Sequence, residues 1–84
     1  MTCTVYILFS ETHDHYYAGI SNDVSDRLRR HNNGESLSTK SGVPWQLIYS
    51  IECIDKSSAM KLEKKIKGRG IGRYLFDIKI LPRS

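Results

Sequence analysis

The sequence predicts a mixed α/β (α+β) domain of order ββαβαα, a three-stranded sheet covered by helices, on three observations. Two β-rich segments flank a polar turn near the N-terminus. A third, alternating segment lies mid-chain. The remaining segments carry helix caps and apolar stripes. A chain of 84 residues buries only about 60 to 70% of its unfolded surface, so residues 1–84 read as one thin-cored domain with no second module.

The first strand is expected over Cys3 to Phe9, where β-branched and aromatic residues dominate in "CTVYILF". "SETHD" supplies turn chemistry, and "HYYAGI" returns as a second strand, which makes a hairpin. His13 and His15 lie in or beside that turn and suggest no role. "SNDVSDRLRRHNNG" offers Asn22 or Asp23 as an N-cap, acids in the first turn, basic residues in the last and Gly34 as a stop. Its apolar side is Val24, Leu28 and His31, with Arg27 at the flank one turn before His31.

"GESLSTKSGVP" reads as a loop. In "WQLIYSIEC", Trp45, Leu47, Tyr49, Ile51 and Cys53 alternate with Gln46, Ile48, Ser50 and Glu52, the pattern of a half-buried strand. "DKSSAMKLEKKIKG" begins with the cap candidates Asp55, Ser57 and Ser58. It then places Ala59, Leu62 and Ile66 on one stripe opposite Lys61, Lys64 and Lys65. Glu63 falls at the border of that stripe, one turn from Lys67, an odd position for a purely solvated acid. After the glycines of "GRGIG", the apolar content of "RYLFDIKIL" predicts a short terminal helix.

Composition narrows the function. A hydrophobic fraction of 39% and a charged fraction of 26% are ordinary for a soluble domain. No apolar run spans a bilayer, and the N-terminus lacks the basic start and cleavage site of a secretory signal, so a cytoplasmic location without membrane contact is expected. Cys3 and Cys53 are too few for a disulfide framework and have no zinc-ligand spacing, so they read as buried, reduced thiols. The formal charge of +4 is unevenly placed: Lys and Arg are absent before Arg27. Lys61 to Arg73 then carries Lys61, Lys64, Lys65, Lys67, Arg69 and Arg73 against Glu63 alone. Such a field attracts a polyanion, and nucleic acid is the leading partner. GxGxxG, P-loop, HExxH and GxSxG motifs are absent, which leaves nucleotide cofactors, zinc proteolysis and serine hydrolysis without support.

The order "TVY", ten further residues, "YAG" and "IS", a helix with "RLRRH", and much later a glutamate in "KLEKKIK" resembles the GIY-YIG endonuclease superfamily. It is most similar to the small standalone bacterial members that hold little more than the nuclease domain, and the resemblance covers about Thr4 to Arg73. The name-giving motifs are altered, GIY to "TVY" and YIG to "YAG", but both tyrosines and the glycine are kept. The resemblance implies a three-stranded antiparallel sheet flanked by helices. It also implies that Tyr6 is the tyrosine of the first motif, and that Tyr17 and Gly19 are the tyrosine and glycine of the second. By the same resemblance Arg27 contacts phosphate, His31 is an active-site histidine, and Glu63 is the single protein ligand of one divalent ion, Mg²⁺ or Mn²⁺.

The implied activity is metal-dependent hydrolysis of DNA phosphodiester bonds, with RNA as a further possible substrate. A phenol with pKa near about 10 is expensive to ionise at neutral pH, so Tyr6 as general base needs help from Arg27, the ion or proton transfer to His31. Tyr6 and His31 both stay open as the base, with Tyr6 preferred. Arg30, Lys40, Lys64, Lys67, Arg69 and Arg73 are the candidates for backbone contacts, which favour recognition of structure over sequence. The alternative is a scaffold that binds DNA or RNA without cutting, and against it stands Glu63, an acid that a pure binder has no need of. Monomer and weak homodimer stay open, as do DNA repair, recombination, defence and turnover as settings.

Overall fold

A computed structural model describes residues 2–37 and 39–79. The elements run β1 (Cys3–Ser10), β2 (His15–Ser21), α1 (Val24–Asn32), a short 3-10 turn (Lys40–Gly42), β3 (Trp45–Cys53), α2 (Lys56–Arg69) and α3 (Ile71–Asp77). This is the expected ββαβαα order, with the 3-10 turn added inside the predicted loop. The terminal helix forms over Ile71–Asp77. The part of that expectation falling on Ile80 and Leu81 lies outside the described residues.

The sheet is antiparallel, in the order β2-β1-β3. β1 is therefore central and covered on both faces, which is why its sequence is a continuous apolar run. Val5, Ile7 and Ala18 meet Ala59 and Ile66 of α2 and Leu75 of α3 on one face. Tyr6, Leu8 and Trp45 meet Val24 and Leu28 of α1 on the other, together with Tyr17 and Val43. Residues of alternate parity along β1 thus serve two separate cores.

Strand β3 departs from the simple alternation expected of it. The register runs Ile7 to Tyr49 but Leu8 to Leu47, so a bulge at Ile48 shifts the phase of the strand. Trp45 and Leu47 consequently share the face of Leu8, while Tyr49 and Cys53 share that of Ile7 and Cys3. A single stripe from Trp45 to Cys53 would have placed Trp45 with α2 and α3. The bulge hands it to α1 instead.

Local chemistry sets the helix ends. Asp23 caps α1 through a bond from the Asp26 amide (3.1 Å), and Asp55 caps α2 through one from the Ser58 amide (2.8 Å). Gly34, at φ +74°, turns the chain away after α1. The connecting loop is pinned to the sheet. Ser10 Oγ donates to the Gly42 carbonyl (2.6 Å) and Trp45 Nε1 donates to the Thr39 carbonyl (2.8 Å).

Asn32 clamps the end of α1 to the start of β3, accepting from the Trp45 amide at 2.5 Å and donating to the Trp45 carbonyl at 3.1 Å. Both backbone groups lose their partner in Asn32→Ala, which should cost about 2 kcal/mol. Urea unfolding checks this: the midpoint falls, and Asn32→Asp, which keeps only the acceptor, falls between.

Candidate active site

The hairpin register places Tyr6 directly opposite Gly19. A β-carbon at position 19 would lie 2.7 Å from the Tyr6 hydroxyl oxygen and 2.8 Å from its Cζ. Only a residue without one lets the Tyr6 ring lie flat across the second strand. Glycine is therefore required here by space, while the neighbouring Ala18 has a side chain that packs in the opposite core.

The ring so placed is 1% exposed. Its hydroxyl lies 3.2 Å from Nε2 of His31, and Nδ1 of His31 lies 2.7 Å from the Thr39 hydroxyl. His31 is itself 3% exposed, the one buried residue of α1. Burial holds its pKa below 6.5, and the Arg27 charge lowers it further, so the imidazole is neutral at pH 7. A neutral imidazole donates from one nitrogen and accepts at the other. Two neutral tautomers satisfy these contacts: Tyr6 donates to Nε2 and Nδ1–H to Thr39, or Thr39 donates to Nδ1 and Nε2–H to Tyr6. In each, the chain Tyr6, His31, Thr39 carries its hydrogens in one direction.

Tyr17 closes the group from the side. Its ring meets His31 edge-on with centroids 4.9 Å apart, and the Tyr6 and Trp45 rings each lie 6.3 Å away. Burial pushes the Tyr6 phenol up to about 12, the adjacent Tyr17 adds to this, Arg27 pulls it down, and Glu63 pushes it up again. Arg27 favours phenolate, as expected, but dehydration of the buried ring outweighs it, so Tyr6 is a protonated phenol at pH 7.

Arg27 is exposed on α1 and lines a surface cleft with Arg30, His31, Glu35 and Ser36. It has no ion-pair partner among the described residues, whereas Arg30 is held by Asp26 (2.9 Å). Glu63 comes from α2, across the sheet from α1, with its side chain 22% exposed and an ion pair to Lys67 at 3.2 Å. The site thus draws on both layers: Tyr6, Tyr17 and His31 form its buried part, Arg27 one open flank and Glu63 a more distant charge felt at Tyr6. Among the described residues no three His, Cys, Asp or Glu side chains gather as a metal cluster.

The predicted backbone-contact residues divide. Arg30, Lys67 and Arg69 pair with Asp26, Glu63 and Asp77, the last at 2.7 and 3.1 Å, and Asp26 is shared with Arg29. Lys40, Lys64 and Arg73, on the 3-10 turn, α2 and α3, have no ion pair among the described residues. Thr39 escaped the sequence reading because a threonine in a Ser/Gly-rich loop gives no sign that it meets a histidine eight residues earlier. His13 and His15, which suggested no role, line a second cleft with Tyr17, Thr39 and Trp45.

The family model for the GIY-YIG catalytic domain matches residues 2–70. The chain belongs to the GIY-YIG family. The chain is similar to UPF0213 proteins of two Vibrio cholerae strains, 42% identical over 53 residues that cover 61% of this chain and 52% of theirs. A UPF0213 protein of Staphylococcus saprophyticus is 40% identical over 52 residues, covering 61% of this chain and 63% of that one. The chain thus spans about half the length of the Vibrio relatives it matches. The solution NMR structure of a UPF0213 protein from Bacillus halodurans matches at a TM-score of 0.60 and 27% identity, covering 98% of this chain and 89% of that one. The two share the three-stranded antiparallel sheet and its following helices. No helix among the described residues is long and apolar enough to cross a membrane.

The Gly19 gap generates a prediction. Gly19→Ala should lower stability by about 1 to 3 kcal/mol, because neither the buried phenol nor the paired strand can move freely. In a double-mutant cycle by thermal unfolding, Tyr6→Phe costs less in the Gly19→Ala background than in the parent, since the hydroxyl it deletes is the atom in conflict.

Proposed function

We propose that this chain is a divalent-metal-dependent endonuclease that hydrolyses DNA phosphodiester bonds, reading backbone and structure more than sequence. The observation that carries the proposal is the hydrogen bond between the Tyr6 hydroxyl and His31 Nε2 beside Arg27, taken with Nδ1–H on Thr39. It joins a proton donor, a neutral acceptor and a free guanidinium in one place. A protein that only held nucleic acid would gain nothing from burying that pair under a basic flank.

Each residue has a task that follows from its surroundings. Tyr6, protonated at rest, takes a proton from the attacking water as it passes its own to His31 Nε2, so phenolate never has to accumulate. That distinction matters. Free phenolate at pH 7 would cost on the order of 7 kcal/mol for a phenol near about 12. His31 is the terminal base, with Thr39 holding its Nδ1–H and fixing the tautomer. Arg27 offers its fork to the scissile phosphate and to charge building on the phosphoryl oxygens. Tyr17, packed against the same imidazole, positions phosphate or water.

The residues fit a single hard cation. Glu63 is a partly exposed carboxylate, and among the described residues it belongs to no cluster of three or more His, Cys, Asp or Glu side chains; one carboxylate plus water and phosphate oxygens suits Mg²⁺ or Mn²⁺. Bound there, the ion would supply positive charge to the phosphoryl and departing oxygens. Lys67 holds the same carboxylate, so it competes for Glu63 and keeps affinity low until substrate arrives.

Nicking of supercoiled plasmid, with Mg²⁺, Mn²⁺ or chelator, tests the proposal. We expect metal-dependent cutting by the parent and losses of about 100-fold or more in Tyr6→Phe, His31→Ala and Glu63→Gln. The pH profile has a definite sign. His31 must be neutral to accept, and its pKa lies below 6.5, so the acid limb lies below pH 6.5 and no loss due to Tyr6 occurs below pH 10. Binding without cutting by the parent would favour the non-catalytic DNA- or RNA-binding module instead.

A further inference from the structure

Cys3 opens β1, Cys53 closes β3, and the antiparallel register sets them directly opposite one another. Opposed residues of an antiparallel pair project from the same face, with Cα atoms about 4.5 or 5.5 Å apart according to whether the pair is hydrogen-bonded. Both spacings fall inside the window of about 4.4 to 6.8 Å that a disulfide needs. The shared face is confirmed by packing, since both side chains rest against the core of Val5, Ile7, Ala59 and Leu75. Both cysteines are free and partly exposed, and Cys3 lines a surface cleft. The expectation of buried thiols is corrected on this point: strand ends leave them at the rim of the core.

We propose that Cys3 and Cys53 are a cross-strand dithiol site that small two-electron oxidants, a peroxide or a low-molecular-weight disulfide, convert to an intramolecular disulfide. With hydrogen peroxide, one thiolate attacks a peroxide oxygen and becomes a sulfenic acid as the O–O bond breaks and water leaves. The second thiolate then attacks that sulfur, the S–S bond forms and a second water departs. The cysteines lose two electrons, the peroxide gains two, and both thiol hydrogens end in water. With a small disulfide, two exchange steps release two small thiols.

The bond would tie the central strand, which carries Tyr6, to the strand that leads into α2 and Glu63. Cys3 also lines a cleft with Arg27 and Lys56, so the modification lies at the edge of the candidate active site. The site stands on strand register alone and is independent of whether the chain cuts DNA.

The test uses the full, folded chain. It is treated with hydrogen peroxide or oxidised glutathione, weighed intact and mapped with trypsin without reduction. Cys3 falls in the peptide Met1–Arg27 and Cys53 in Ser41–Lys56. The expected result is a mass lower by two hydrogens, those two peptides joined, both thiols lost to titration and recovered with dithiothreitol, and Tm raised on the order of 10 °C. The linkage is absent in Cys53→Ser. Oxygen atoms added to separate cysteines, covalent dimers, or two reactive thiols surviving conditions that oxidise a dithiol peptide would each overturn the proposal. The peptide map is made on the unaltered chain, so the outcome does not depend on whether the variant folds.

Discussion

A phenol and an imidazole share a hydrogen bond between β1 and α1, and the room for it exists because residue 19 has no side chain. The Tyr6 hydroxyl occupies the volume a β-carbon at Gly19 would claim, and from there it meets His31 at 3.2 Å. The rest of the α1 layer serves this meeting. Val24 and Leu28 seat the helix, Asn32 locks its end to Trp45, and Trp45 in turn holds the Thr39 carbonyl, which brings the Thr39 hydroxyl to the far nitrogen of the imidazole. Loss of any one link loosens the His31 ring.

Burial has a cost and a use in this arrangement. Taking both groups out of water raises the phenol and lowers the imidazole, so each resting state is neutral and the pair is a donor and an acceptor rather than an ion pair. Charge is kept at the rim. Arg27 stands open while Arg30, Lys67 and Arg69 are held by acids, so the apparent basic field of the sequence is thinner in space than along the chain. Arg27, without an ion-pair partner among the described residues, lies beside His31.

The element order, both helix caps and the hairpin were legible because each rests on local rules: β-branched runs, Asp at an N-cap and Gly after a last turn. The candidate residues Tyr6, Tyr17, Gly19, Arg27, His31 and Glu63 came from a pattern, and of these the structure brings Tyr6, Tyr17 and His31 together and sets Gly19 opposite Tyr6. Three features were not legible. The bulge at Ile48 is set by pairing with Leu8, which periodicity cannot see. Thr39 reaches His31 only because a tryptophan and a serine fold the loop back. The rise in the Tyr6 pKa comes from dehydration, which depends on how completely two layers close over a ring and not on the sign of neighbouring residues.

The account's central claim is the direction of the hydrogen bonds through His31, and nitrogen-15 NMR of that imidazole reads it directly. At pH 7 the account predicts a neutral ring with its proton on Nδ1 and a bare Nε2 accepting from Tyr6. A proton on Nε2, or an imidazolium at pH 7, would mean that His31 cannot take the Tyr6 proton, and the relay would be contradicted.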